Sequence, residues 1–289
     1  MFYEKVKLNV PYEKAGLPSD GCIAELECYR TDVNQDGISE RRRPAIVVCP
    51  GGGYDFVSPR EAEPVAMRFV SYGYAAFCLT YSCVNKKFPT ALLEAAAAVA
   101  YVRNNAEMLK VLPDQIYIAG FSAGGHLAAS LSVHWNKDFV KEPFGFTDEH
   151  KPNGSILCYP VITAKYFTHG ATTRNLAQIQ GKEGDLTDEQ VKLFSCEEHI
   201  SADTPPAFLW HTADDNVVPS KNSLVYAAGL ADHGIPYEMH IFRSGHHGLS
   251  LSEASTSAYS GHINDDVAQW VPLAMRWIAN RCGFDRMFK

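Results

Sequence analysis

The sequence contains no uninterrupted apolar run of the length a membrane-spanning helix needs, about 18 residues or more. Its amino terminus, MFYEKVKLNVPYEK, lacks a charged stretch leading into a long apolar one. Neither a membrane span nor a secretory leader is therefore expected. The eight cysteines (Cys22, Cys28, Cys49, Cys78, Cys83, Cys158, Cys196 and Cys282) include no Cys-x-x-Cys pair, which argues against structural zinc. Cys49, Cys78 and Cys158 lie in apolar runs and read as small core residues. Scattered thiols without a leader predict reduced cysteines and a cytoplasmic location. Long basic runs are missing too, and the formal net charge is -7. The densest positive cluster, Arg41-Arg42-Arg43, precedes an apolar run and reads as a solvated turn. Nucleic acid is not an expected partner. The histidines form no His-x-x-x-His or His-Glu-x-x-His pattern, so no metal is expected.

What is present is material for a large core, with 46% hydrophobic and 20% charged residues in 289. That length suits one large α/β domain spanning 1–289. From residue 44 onward, apolar runs alternate with helical stretches. The runs are "AIVVCP" (45–50), "YAAFCLTY" (74–81), "QIYIAG" (115–120), "SILCYP" (155–160), "PAFLWHT" (206–212) and "YEMHIF" (237–242). Unbroken apolar runs such as "AIVV" fit strands buried on both faces, as in a parallel sheet. Helix candidates lie between them: "REAEPVAMRFVSYG", "TALLEAAAAVAYVRNNAEML", a segment starting at Ser122, "SKNSLVYAAGLADHG" and "DVAQWVPLAMRWIANR". Such alternation predicts a mostly parallel central sheet with helices on both faces. "EKVKLNVPY" and "CIAELECYR" alternate polar and apolar residues, which suits an antiparallel edge. Residues 161–203 have weak periodicity and read as a small cap-like insertion over one end of the sheet. There is no internal repeat or low-complexity linker, and nothing indicates an oligomeric state.

Chemistry concentrates at "IYIAGFSAGGHLAAS". Gly120-Phe121-Ser122-Ala123-Gly124 fits Gly-x-Ser-x-Gly between a β-branched run and a helical one. Small residues on either side of the serine permit a tight strand-to-helix turn that exposes Ser122 Oγ. The helix N-terminus offers free amides to developing negative charge. The plain alternative is a glycine-rich turn with Ser122 as a helix cap. A second supply of amides is "VVCPGGGYDF", where Gly51-Gly52-Gly53 follows a strand. No Gly-Lys-Ser/Thr or Gly-x-Gly-x-x-Gly pattern supports phosphate binding there, so an oxyanion hole is the better reading. A nucleophilic serine needs a base oriented by an acid, in the chain order serine, acid, histidine. "FLWHTADDNVVP" offers Asp214 and Asp215, and "RSGHHGLSL" offers His246 and His247. Spacing alone does not separate the two aspartates.

As an ordered set, "CPGGGYDFVSPREAEPVAMRF", "GFSAGGHLAAS", "CYPVIT", "PPAFLWHTADDNVVP" and "SGHHGLSL" resemble the α/β-hydrolase serine esterases of the xylan acetyl esterase and feruloyl esterase type. These are relatives of the hormone-sensitive-lipase-like carboxylesterases. The resemblance runs from about residue 44 to 280 and implies the α/β-hydrolase fold. The family pattern His-[Gly/Thr]-x-x-Asp-x-x-Val-Pro starts at His211 and implies Asp215 as the acid. Gly-x-His-Gly, starting at Gly245, implies His247 as the base. His246 is then an exposed or substrate-rim neighbour. Pro50 stands where the lipase-like branch often has histidine, which resembles the acetyl-xylan group better. The implied set is Ser122, Asp215 and His247 with amides of Gly52, Gly53 and Ala123, and no cofactor. The implied substrate is a short-chain, chiefly acetyl, ester of a small molecule or oligosaccharide. General carboxylesterase and feruloyl esterase activity share these residues. Outside catalysis, the chain could be an inactive hydrolase-fold binding module.

Three residues near the oxyanion loop, Arg60, Glu61 and Tyr54, are candidate substrate contacts. Phe56, Tyr166, Phe167 and Trp210 are aromatic candidates to flank a sugar. His126, one turn into the helix after Ser122, reads as a structural histidine satisfied by a neighbour.

Overall fold

The computed structural model describes residues 1–31, 41–178 and 185–283. Strands β1 (Phe2–Lys7), β2 (Glu25–Arg30) and β3 (Arg43–Cys49) lead to helix α1 (Glu63–Ser71) and β4 (Ala75–Thr80). Helix α2 (Thr90–Asn104), β5 (Val111–Phe121), α3 (Ala123–His134), α4 (Asp138–Lys141) and β6 (Gly154–Cys158) follow. After these come α5 (Gly170–Ala177), α6 (Asp188–Phe194) and β7 (Ala207–Thr212). The chain continues with α7 (Lys221–Asp232), β8 (Tyr237–Phe242), α8 (Asp265–Ala268) and α9 (Trp270–Cys282).

The strands form one sheet in the order β1-β2-β4-β3-β5-β6-β7-β8. Pairings β1–β2 and β2–β4 are antiparallel, as the alternating amino-terminal segments predicted, and the rest are parallel. Every residue of β3 is buried because both faces are covered. Side chains alternate between two cores. Ala45, Val47, Ile118, Leu157 and Leu209 face α2, α3 and α7. Ile46, Val48, Ala119, Ile156 and Phe208 face α1 and α9. The alanine run of α2 keeps that helix close to the sheet, and all of α3 is buried. The α/β-hydrolase fold predicted from the sequence is the one observed.

Two local expectations fail for backbone reasons. "DVAQWVPLAMRWIANR" forms two helices, α8 and α9, because Pro272 has no N–H to continue the ladder across Gln269. Arg43 is not part of a solvated turn: it opens β3, is buried, and its amide donates to Lys110 O at 3.0 Å. The insertion after β6 carries α5 and α6. Thr187 begins α6 with a reciprocal cap, its Oγ1 accepting from the Gln190 amide while Gln190 Oε1 accepts from the Thr187 amide. Residues 179–184 of that insertion lie outside the described residues. Among the described residues no helix is long and apolar enough to cross a membrane.

Candidate active site

Ser122 stands between β5 and α3 with φ 53° and ψ -116°, a conformation a non-glycine residue holds only under constraint. The constraint is visible. Its amide donates to Cys158 O, and its carbonyl accepts from Val161 N, each at 3.0 Å. Close approach of the backbone on both sides requires glycine. A Cβ at Gly120 would lie 2.0 Å from Gly124 O, and one at Gly124 would lie 2.1 Å from Cys49 O. The Ser122 side chain makes no capping bond to α3, so the plain helix-cap reading fails. Instead its hydroxyl lies 2.8 Å from His247 Nε2.

His247 sits on the loop after β8, with Nδ1 2.7 Å from Asp215 Oδ2. Asp215, on the loop after β7, has a fully buried side chain. Its Oδ1 accepts the amides of Val217 and Val218, both at 2.9 Å. His211 Nε2 lies 3.4 Å from Oδ2. Burial alone would raise the Asp215 carboxyl, but the nearby His211 and His247 imidazoles outweigh it and hold it well below the usual carboxylate range. The two aspartates, inseparable by spacing, have different partners: Asp214 Oδ1 accepts the Gly245 amide at 2.8 Å. His246 is exposed and turns toward the Tyr259 ring, 6.4 Å between centroids.

The amides of Gly52, Gly53 and Ala123 have no acceptor among the described residues. Gly52 and Gly53 have φ of 127° and 65°, and a Cβ at Gly52 would meet Phe56 O at 2.0 Å. The Gly51 amide is already used, donating to Glu61 Oε2 at 2.8 Å.

The three candidate substrate contacts are each hydrogen-bonded within the protein. Glu61 is buried, and its Oε1 accepts from the Tyr159 hydroxyl at 2.6 Å, which in turn accepts the Ser250 amide at 2.9 Å. Glu61 thus joins the oxyanion loop to the histidine loop. Arg60 Nη2 donates to Gly248 O at 3.0 Å, and its Nε to Thr256 O at 2.5 Å, bracing the loop that follows His247. Tyr54 is buried, with its hydroxyl 3.0 Å from His126 Nδ1. His126 Nε2 reaches Phe194 O at 2.8 Å, the neighbour-satisfied role expected of it. Among the aromatic candidates, Trp210 is fully buried in β7, whereas Phe56 and Tyr166 are exposed. Tyr159 carries no signal in the sequence, since a buried tyrosine at a strand end looks like any core aromatic.

Glu61→Gln tests this bridge. Gly51 N and Tyr159 OH bond different carboxylate oxygens, so one amide end faces a donor it cannot accept from. An unsatisfied buried group costs about 1–3 kcal/mol. The expected result is a lower urea midpoint at unchanged slope. An unchanged midpoint contradicts the bridge.

The BD-FAE family model matches residues 31–230. The chain is 35% identical to endo-1,4-beta-xylanase B of Butyrivibrio fibrisolvens over 247 residues, covering 84% of this chain and 37% of that protein. It is 28% identical to an acetylxylan esterase of Xylanibacter ruminicola over 257 residues, covering 88% of this chain and 49% of that protein. The chain thus spans less than half the length of these two relatives. Among solved structures, it is similar to an acetyl ester-xyloside bifunctional hydrolase from Caldicellulosiruptor lactoaceticus. That match has 36% identity and a TM-score of 0.75, over 92% of this chain and 91% of the other. With a family match over most of its length and this sheet topology, the chain belongs to the BD-FAE family of the α/β-hydrolase fold.

Proposed function

We propose that this chain hydrolyses short-chain carboxylic esters, chiefly acetyl esters of xylan-derived or other acetylated saccharides, with Ser122 as nucleophile. The observation that carries the reading is the hydrogen-bonded series Ser122–His247–Asp215 at 2.8 and 2.7 Å. Ser122 Oγ attacks the acyl carbon while His247 Nε2 takes its proton. Asp215 holds His247 with Nδ1 protonated and stabilises the positive charge that forms. The amides of Gly52, Gly53 and Ala123 stabilise the tetrahedral oxyanion, each worth about 2.7–4 kcal/mol where such donors have been removed. His247 then protonates the departing alcohol, and water repeats the cycle on the acyl-enzyme. The relatives named for acetyl ester and acetylxylan hydrolysis support the acetyl-saccharide choice. Eight free cysteines fit a reducing compartment. The proposal includes a cytoplasmic reaction, in which oligosaccharides rather than polymer reach the enzyme.

Gly52→Ala forces the loop away from Phe56 O and puts a side chain on a strained backbone. It should lower kcat by about 10^2- to 10^3-fold on p-nitrophenyl acetate. An unchanged kcat would remove Gly52 from the oxyanion hole. The substrate class is tested by initial rates on acetylated xylo-oligosaccharides, p-nitrophenyl acetate and butyrate, and methyl ferulate. Acetyl release should dominate. A preference for ferulate or butyrate would move the assignment to feruloyl esterase or general carboxylesterase. Inertness toward all of them would favour a binding module.

A further inference from the structure

His169 opens α5, where the insertion after β6 meets the oxyanion loop. Its Nδ1 lies 2.9 Å from Thr172 Oγ1, and its carbonyl accepts the Thr172 amide at 3.0 Å. Ring and backbone are therefore both fixed to the first turn of α5. The helix is tied to the site a second time, through Asn175 Nδ2, which donates to Gly53 O at 2.8 Å. The ring's Cε1 lies 4.0 Å from the point where a Cβ on Gly53 would stand. Nε2 is one bond from that carbon and has no partner among the described residues. Burial first, and then the neighbouring His247, push the His169 imidazole below its ordinary pKa, with Asp215 acting in the opposite sense. A neutral ring does not oppose the charge that forms on His247 during the reaction.

An acetyl ester leaves this nitrogen one kind of partner. The acyl methyl cannot hydrogen-bond, the carbonyl oxygen belongs to the loop amides, and the bridging oxygen belongs to His247. Any further partner comes from the alcohol. We propose that His169 Nε2 hydrogen-bonds a hydroxyl of the saccharide alcohol beside the esterified position, and so favours sugar esters over simple aryl or alkyl esters. The proposal rests on the acetyl-saccharide reading above.

Two variants separate the ring nitrogens. His169→Asn keeps a polar atom near Nδ1, facing Thr172, and removes the Nε2 end. His169→Gln places an amide near Nε2 and gives up the Thr172 contact. The readout is the ratio of kcat/KM on acetylated xylobiose to that on p-nitrophenyl acetate. One neutral hydrogen bond corresponds to a fall in this ratio of about tenfold in His169→Asn. In His169→Gln the ratio should recover toward wild type. If both substrates lose activity in parallel in the two variants, His169 is only structural and the proposal is overturned. An unchanged ratio in His169→Asn overturns it equally. Wild type that cleaves p-nitrophenyl acetate but no sugar acetate would show instead that the saccharide reading has failed, taking the proposal with it. That outcome is visible before any variant is compared.

Discussion

Ser122→Ala and His247→Ala should each lower kcat for ester hydrolysis by about 10^4- to 10^6-fold, while His246→Ala stays close to wild type. The difference between the adjacent histidines follows from their directions. His247 bridges Ser122 Oγ and Asp215 Oδ2, whereas His246 is exposed toward Tyr259. Without Ser122 no acyl-enzyme forms, and without His247 the hydroxyl keeps its proton. Because the two act as a unit, the double variant should lose no more than either single one. Steady-state rates on p-nitrophenyl acetate compare all four variants with wild type. A dead His246→Ala with an active His247→Ala would mean that the loop after β8 is out of register. Additive losses would mean that Ser122 and His247 do not act on the same step.

The second large effect is Asp215→Asn, for which the structure dictates the amide's orientation. Oδ1 accepts two backbone amides, from Val217 and Val218. Asparagine must keep its oxygen there, which puts its NH2 where Oδ2 faces His247 Nδ1. The imidazole is then driven to the tautomer protonated on Nε2, which cannot take the Ser122 proton. A loss of about 10^4-fold in kcat is expected with the fold retained. A pH signature accompanies it. Because the folded-state pKa of Asp215 is depressed, its stabilising contribution is present above the unfolded carboxylate value, about 3.9, and fades as pH falls through and below it. Wild type should therefore lose melting temperature more steeply than Asp215→Asn on acidification below about pH 4. Parallel acid limbs, or a kcat within a few-fold of wild type, would contradict the role given to this carboxylate.

Much of the architecture was legible because burial on both sheet faces forces unbroken apolar runs. "AIVVCP" and "QIYIAG" read as strands for the same reason that Ile46 and Ile118 pack into opposite cores. The elbow at Ser122 was legible because its motif, Gly120 to Gly124, lies within five consecutive residues, even though the contact that requires Gly124 comes from Cys49 on a neighbouring strand. Choosing Asp215 over Asp214 needed the family resemblance. In space the choice depends on His247, 32 residues away, and on amides that follow the aspartate. Partners distant in sequence account for what was not legible. Glu61 reads as a candidate substrate contact from its place after the oxyanion loop, and the donor to its carboxylate, Tyr159, is 98 residues away. Arg60 has its acceptors near residues 248–256, and Tyr54 meets a histidine on α3. In all three cases a polar side chain beside the site holds a loop in place. Composition and periodicity carry no trace of such pairings.

Reaction with a fluorophosphonate, followed by intact mass and peptide mapping, tests the nucleophile most directly. The expected result is one adduct per chain, on the peptide carrying Ser122, with esterase activity lost in proportion and no adduct on Ser122→Ala. No adduct on the wild-type chain, or equal labelling of Ser122→Ala, would contradict a serine-esterase site at Ser122.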